Sequence, residues 1–366
     1  MASCNYCKVS PQEPLKRCVC GKVSYCSKEC QAKDWKIHKP SCPPYTIREV
    51  PGKGRGLFAT RKIKEGQIIL EEYPFISLRN GDIVSFNEFK MNHYPNIDES
   101  TKAKILEIRD PAENLKMMDP ETVEKLVRED PVIKSWREAK SDEISKIYRI
   151  VSANSHRFCE DPNLYSNITE IGLYNYIALI NHGCVANASW TWVMGDFKRH
   201  QVRALMTIEK DQEILTSYWN TAGFLYSSRE SRQQLLLEIC GFLCSCSECS
   251  LEGEGEAQEE NERIRAEIRE TAGEMKQLMR CEGSASVPRR DVKKAMKLAQ
   301  KKTKLVQKLN MRAMFVDEMI GFYHFAVNAK SMGISCPNDP DIFKQEALKY
   351  AKMFGDAYIY TCNKYI

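Results

Sequence analysis

The sequence predicts an α+β protein of several domains: a small metal-held module, a β-rich fold split by a helical insertion, and a helical C-terminal region. Three observations carry this. Seven cysteines and one histidine crowd the first 42 residues. Short β-rich stretches with glycine turns occupy 45–78 and strand-like segments return from 190 to 218, with helical spacing at 82–152 between them. Beyond residue 262 the apolar positions recur at helical intervals. At 366 residues and 43% hydrophobic composition, the chain has room for two or three domains with sizeable cores.

The first element is the cysteine run Cys4-x2-Cys7-x10-Cys18-x-Cys20-x5-Cys26-x3-Cys30-x7-His38-x3-Cys42. Zinc takes four thiolate or imidazole donors in a tetrahedron, and closely spaced pairs supply them two at a time. Eight donors make two closed tetrahedra with no position left for water, so both sites are structural. A segment this short buries too little apolar surface to fold without them. A disulfide framework fits less well, because nothing here looks like a secretory signal. The run Tyr25-Cys26-Ser27-Lys28-Glu29-Cys30-Gln31, with Trp35 and His38, resembles the MYND zinc finger, whose two sites are cross-braced. That resemblance implies that Cys4, Cys7, Cys26 and Cys30 hold one ion and Cys18, Cys20, His38 and Cys42 the other. The single residue between Cys18 and Cys20 departs from the family's usual two. Gln31 and Trp35 match positions that line a groove for proline-rich peptides in related fingers. Trp35 as the cap of a tiny core is the alternative.

Composition narrows the function classes. No apolar stretch approaches the ~20 residues that span a bilayer, and the opening MASCNYCKVS lacks a charged-then-apolar leader. The expectation is a monomer without membrane contact, in the cytoplasm and nucleus. Sixteen cysteines then imply metal ligands and free thiols in a reducing compartment. A net charge of +5 is too mild for this length to argue nucleic-acid binding by itself.

Next come strand-like segments at 45–50 and 67–72 around Gly52-Lys53-Gly54-Arg55-Gly56-Leu57-Phe58-Ala59. This loop lacks both the Rossmann spacing and the Gly-Lys-Ser/Thr ending of a P-loop. Residues 82–152 read as a helical insertion, with helix starts at Asp119-Pro120-Glu121 and Ser141-Asp142-Glu143. Strands resume at 190–194, 201–208 and 213–218.

Gly54-Arg55-Gly56, Asn154-Ser155, Ile171-Gly172-Leu173-Tyr174 running into Asn181-His182-Gly183-Cys184, Glu213-Ile214-Leu215-Thr216-Ser217-Tyr218, and Cys244-x-Cys246-x2-Cys249 occur in the order found in SET-domain methyltransferases. The chain resembles the SET- and MYND-domain family over residues 4–249, in a finger-first arrangement like its arthropod-type branch. The resemblance implies a MYND finger at 1–43, the first part of a SET domain at 44–81 and its helical insertion at 82–152. It further implies the core SET domain at 153–223 and a post-SET zinc segment at 224–250. Downstream an acidic linker is expected at 251–262, then a tetratricopeptide-like helical array at 263–366.

The implied activity is transfer of a methyl group from S-adenosylmethionine to a lysine of a histone or another protein. Tyr218 matches the catalytic tyrosine. Lys53, Arg55, Asn154, Asn181 and His182 match the polar cofactor contacts, and Phe242 the aromatic that stacks on adenine. Cys184, Cys244, Cys246 and Cys249 match a third zinc site that ties the flap carrying Phe242 to the core, which brings the expected zinc count to three. Departures are Cys240 in place of an aromatic neighbour, His156 where relatives place a channel phenylalanine, and Gly183, Val185 and Ala186 around Asn187. Cys159, Cys240, Cys281, Cys336 and Cys362 are left as ordinary thiols. The alternative function is a weak or silent SET scaffold that recruits proline-rich partners through the finger.

Beyond the acidic run, residues 289–312 carry ten Lys or Arg and one Asp, with Val292, Met296, Ala299, Val306 and Leu309 as an apolar stripe. This basic amphipathic helix reads first as a solvated face, with a nucleic-acid or acidic-peptide contact as the alternative. Helices at 313–332 and 341–362 follow, broken by Gly333 and Pro337 to Pro340, so three or four helices are expected in the array.

Overall fold

The computed structural model describes residues 3–365 except 11–12, 19–21, 40, 80–84, 119, 130, 159–169, 251–255, 280–288 and 336–338. Cys20, Cys159, Cys281 and Cys336 therefore lie outside the described residues, as does the first half of the acidic run.

Around the finger, β1 (Lys16–Arg17) pairs antiparallel with β2 (Ser24–Tyr25), followed by α1 (Lys28–His38). Ser27 starts α1 because its side chain accepts the Cys30 N–H at 3.2 Å. Buried Asp34 accepts from Asn5 Nδ2 at 2.6 Å and the Tyr25 hydroxyl at 2.7 Å, which pins the helix to the cysteine loops.

The β scaffold begins with the hairpin β3 (Tyr45–Val50) and β4 (Gly54–Ala59), in register from Tyr45 opposite Ala59 to Val50 opposite Gly54. Strand β5 (Ile68–Glu72) joins β11 (Asp196–Ala204), which pairs with β10 (Ala188–Val193). A further sheet orders β6 (Ile76–Arg79), β8 (Glu170–Leu173) and β7 (His156–Phe158). The sequence reading omits these three strands, because segments of three or four residues are too short to show alternation. The strand read at 201–208 begins earlier and leaves the ladder after Ala204. Leu205 instead packs into the C-terminal helical core, and Ile208 makes an isolated bridge to Ile63. Of the strand read at 213–218, only β12 (Leu215–Thr216) is laddered; it runs parallel to β9 (Asn181–His182).

The insertion holds α2 (Phe86–Glu88), α3 (Glu99–Leu106), α4 (Pro111–Asn114), α5 (Pro120–Glu129), α6 (Pro131–Arg137) and α7 (Glu143–Asn154). Both helix starts read from sequence fall where expected, and Asp142 caps α7 by accepting the Ser145 N–H at 3.0 Å. Its core of Phe89, Ile105, Ile147 and Ile150 packs on Ile171 and Leu173 of β8. Arg149 of α7 grips Asp110 through two bonds, Nε to Oδ1 at 2.9 Å and Nη2 to Oδ2 at 2.5 Å, while Asp110 caps α4.

After α8 (Ala222–Leu225) and α9 (Arg229–Cys240), the array contains α10 (Glu256–Met279), α11 (Val292–Lys308), α12 (Phe315–Ser331), α13 (Pro340–Phe354) and α14 (Asp356–Tyr365). Two expectations are corrected. Residues 256–262, read as part of a solvated hinge, are the first turns of α10. The run of glutamates that argued against structure is favoured at a helix N-terminus, and Glu262 is drawn inward by buried arginines. The array has five described helices rather than three or four, since α10 starts early and the helix read at 341–362 breaks at Gly355. The basic face of α11 is partly answered within the fold: Lys301 pairs with Glu267 at 2.7 Å and Lys302 with Glu318 at 3.1 Å. The last helix returns to the β scaffold, where Tyr358 Oη lies 3.2 Å from Ser189 Oγ and accepts from Asn220 Nδ2 at 3.0 Å. No helix among the described residues is long and apolar enough to cross a membrane.

Candidate functional site

Three clusters of metal-ligating side chains form. Cys4, Cys7, Cys26 and Cys30 make the first, Cys18, His38 and Cys42 the second, and Cys184, Cys244, Cys246 and Cys249 the third, with all donor atoms of each cluster within 4.8 Å of one another. Zinc at about 2.3 Å from each thiolate requires sulfur–sulfur edges of about 3.8 Å. The Sγ–Sγ separations are 3.6 Å for Cys7 to Cys26, 3.5 Å for Cys26 to Cys30, 3.8 Å for Cys18 to Cys42 and 3.5 Å for Cys184 to Cys249. The donor sets fit zinc. Among the residues expected at the peptide groove, Trp35 packs on the finger core of Cys4, Cys18, Tyr25 and Cys42, its ring edge-on to His38 at 6.2 Å and under the Arg61 guanidinium at 5.7 Å. Gln31 lies one turn away on the same helix, half-buried.

A separate cavity of about 300 Å³, within the range of small-molecule sites, opens between the glycine loop, the insertion and the flap after α9. Lys53, Arg55, Asn154, Asn181, His182, Tyr218 and Phe242 all line it. Seven residues spread over 190 positions thus meet in one wall. The hairpin presents Lys53 and Arg55, and Arg55 Nη2 reaches across to the Glu107 carbonyl at 2.5 Å. Asn154 ends α7 with its Nδ2 on the Ile150 carbonyl at 2.8 Å.

The parallel pairing of β9 with β12 places Asn181 and His182 beside the segment that leads to Tyr218. Asn181 Nδ2 donates to the Arg55 carbonyl at 3.1 Å and to Glu213 Oε1 at 2.7 Å, stitching β4, β9 and the approach to β12 together. Gly56 is confined by this junction: a Cβ there would sit 2.6 Å from Glu213 Oε1 and 2.9 Å from Asn181 Nδ2. His182 Nδ1 accepts the Tyr218 backbone N–H at 3.1 Å, so its Nε2 carries the proton and faces Cys184 Sγ at 3.3 Å.

Tyr218 places its hydroxyl 3.3 Å from the Ile180 carbonyl, its ring edge-on to His182 at 5.2 Å and to Phe242 at 6.2 Å. Although 38% of its surface is accessible, that surface faces the cavity, and the protein enclosing the phenol pushes its pKa well above the ordinary value. The phenol stays protonated near neutral pH, with its proton on the Ile180 carbonyl. Cys240 also lines the cavity, and burial raises its thiol to about 12, so it is present as the neutral thiol.

Sequence reasoning missed the insertion's share of this wall: Glu107, Ile108, Arg109, Pro111 and Asn114. The Asp110-Pro111 pair, a helix cap followed by proline at the first helical position, was the available signal. Glu213 was likewise read as part of a strand rather than as the partner of Asn181.

His156 is placed apart from the lining residues. It packs edge-on to Trp190 at 4.4 Å and Tyr174 at 5.6 Å, in a cluster where His200 stacks on Tyr174 at 4.7 Å. Burial lowers the pKa of His156 and of His182 to about 4. Unfolded histidines bind protons near 6.5, so the unfolded state takes up more protons between those values, and the stability present above pH 6.5 is lost as pH falls toward 4. The urea midpoint is expected to fall between pH 6.5 and 5, and His156→Phe to flatten that slope; an equal slope in the variant would show that His156 is not responsible.

The family model described as SET domain matches residues 54–219, and that described as MYND finger matches residues 4–42. Among curated proteins, the chain is similar to the histone-lysine N-methyltransferase ASHR1 of Arabidopsis thaliana, with 29% identity over 245 residues, 64% of this chain and 44% of the relative. The N-lysine methyltransferase SMYD2 of Homo sapiens shares 24% identity over 262 residues, 70% of this chain and 52% of the relative. The histone-lysine N-methyltransferase SMYD3 of Homo sapiens shares 25% over 285 residues, 75% and 58%. The chain spans about half the length of these curated relatives.

Proposed function

We propose that this chain, which belongs to the SET- and MYND-domain family, is a protein-lysine N-methyltransferase that uses S-adenosylmethionine and carries three structural zinc ions. The observation that supports this reading most is the convergence of Lys53, Arg55, Asn154, Asn181, His182, Phe242 and Tyr218 on one cavity. Its polar wall beside the glycine loop suits the amino-acid portion of the cofactor, and Phe242 suits the adenine ring. When bound, S-adenosylmethionine supplies an electrophilic methyl group on a sulfonium.

The residues of the chain then have to hold a neutral lysine amine in line with that methyl. A free amine with a pKa of ~10.4 is neutral in only about one molecule in a thousand near pH 7.4. Tyr218 serves here by accepting a hydrogen bond from the amine while its own proton points to the Ile180 carbonyl, so the lone pair is left free to attack. Lys53, Arg55, Asn154, Asn181, His182 and Phe242 would hold the cofactor, which would supply its methyl group to the free lone pair of the amine, and the proton lost from nitrogen would pass to water. The substrate is read as a lysine of a histone or another protein.

Calorimetric titration with S-adenosylmethionine tests the reading. Binding of one equivalent is expected, and absence of binding shifts the function to the adaptor alternative, in which the finger recruits partners. Elemental analysis is expected to give three zinc ions per chain, with Cys20 completing the cluster of Cys18, His38 and Cys42; two or fewer refutes that count.

A further inference from the structure

Two arginines are fully buried at 0% exposure: Arg232 on α9 and Arg265 on α10. Each needs a specific reason, because an arginine removed from water is costly unless its charge and donors are answered. Arg232 Nε donates to Cys184 Sγ at 3.3 Å, and its Nη2 lies 3.7 Å from Cys249 Sγ. The same Nη2 donates to Glu262 Oε1 at 2.9 Å and Nη1 to the Ser227 carbonyl at 2.6 Å. Glu262 Oε1 also accepts from Arg265 Nη1 at 3.2 Å, and Arg265 Nη2 donates to Glu248 Oε2 at 2.8 Å. Glu248 immediately precedes Cys249, so the chain of charges leaves the four-cysteine cluster through Arg232 and returns to its loop through Glu248.

Four thiolates around a divalent ion carry two net negative charges, which here sit in a core built from Phe224, Leu236, Ile264, Ile268, Val306 and Phe315. A planar guanidinium can reach two sulfurs and a carboxylate at once, which a lysine ammonium cannot match geometrically. The partner carboxylates come from the cluster's own loop and from the helix whose first turns read as a solvated linker.

We propose that Arg232 is a positioning residue for the four-cysteine metal site, and that Glu262, Arg265 and Glu248 extend this contact into α10, so that the C-terminal array locks the metal loop. The proposal rests on the reading that Cys184, Cys244, Cys246 and Cys249 hold zinc. Its consequence for the cavity is direct, because the loop locked in this way supplies Phe242, Cys244, Ser245 and Cys246 to the cavity wall. Hydrogen bonds to metal-bound thiolates reduce their charge and slow their protonation and exchange, and loss of such an outer partner commonly costs 10–100-fold in metal affinity.

The test follows zinc release from the full zinc-loaded chain into a chromogenic chelator, with thermal melting in parallel. In Arg232→Gln one zinc equivalent is expected to leave about 10–100-fold faster than in the wild type, while the finger ions keep their rates. Glu262→Gln, which leaves the arginine–sulfur contacts in place, is expected to give a smaller acceleration of the same phase. The double variant is expected to add little to Arg232→Gln, because both act through one chain. Equal release from the wild type and Arg232→Gln overturns the proposal, as does uniform acceleration of all ions together with a general loss of melting temperature. A wild-type chain with no ion at this site overturns the zinc reading as well, which separates the two failures.

Discussion

Tyr218→Phe is expected to lower the rate of methyl transfer by about 10²-fold or more while leaving affinity for S-adenosylmethionine nearly unchanged. The substitution removes one oxygen and keeps the ring that meets His182 and Phe242 edge-on. The backbone N–H of residue 218 still donates to His182 Nδ1, so the junction of β9 and β12 stays intact. What is lost is the hydroxyl at the Ile180 carbonyl, the group that would orient the amine. Asn181→Ala is expected to behave in the opposite way. Its amide bridges Arg55 and Glu213, and without it the Glu213 carboxylate loses its partner and the glycine loop loosens, so cofactor affinity itself falls. Methylation of a protein mixture, with cofactor affinity measured for both variants, separates the two effects. Equal activity of Tyr218→Phe and the wild type would remove Tyr218 from the catalytic role.

The residues that gather in the cysteine clusters and along the cavity were legible because their types and spacings follow the chemistry they would serve. Pairs such as Cys4-x2-Cys7 and Cys244-x-Cys246 announce a tetrahedral site, and the polar residues around Gly54 and Asn181 follow an order that a fold resemblance can locate. The hairpin of β3 and β4 was also legible, since a glycine turn separates two β-rich stretches. Less legible was everything fixed by distant packing. Three-residue β7 has no period to read, and it exists because β8 lies alongside it. Arg109 and Asn114 belong to an insertion whose sequence shows only helix starts, and they reach the cavity because Arg149 clamps Asp110. The glutamates of 256–262 look solvated in isolation, and two buried arginines reverse that reading for Glu262.

Gly241→Ala is expected to destabilise the fold by roughly 2–4 kcal/mol and to weaken cofactor binding by more than about tenfold, although no chemical group that touches the cofactor is altered. Gly241 ends α9 in the left-handed conformation, with φ of 69° and its N–H on the Leu237 carbonyl at 3.0 Å. Alanine pays about 1 kcal/mol there for the conformation alone. The larger cost is spatial: a Cβ would stand 2.5 Å from the Pro111 carbonyl oxygen, a contact that backbone on both sides must relieve. Neither side is free to yield. Pro111 opens α4, whose cap Asp110 is held by Arg149, and Asn114 of the same helix donates to the Cys240 carbonyl at 2.8 Å. Phe242 follows Gly241 directly, so displacement of this turn carries its ring away from Tyr218 and opens the cavity between insertion and flap. Urea unfolding measures the first effect, and calorimetric titration at a temperature where the variant is fully folded measures the second. Wild-type affinity in a folded Gly241→Ala chain would mean that the contact of α9 with α4 does not set the position of Phe242. A loss of affinity with wild-type turnover at saturating cofactor, the reverse of the pattern expected for Tyr218→Phe, would instead separate the two roles, with the flap binding the cofactor and the tyrosine acting on the transferred methyl.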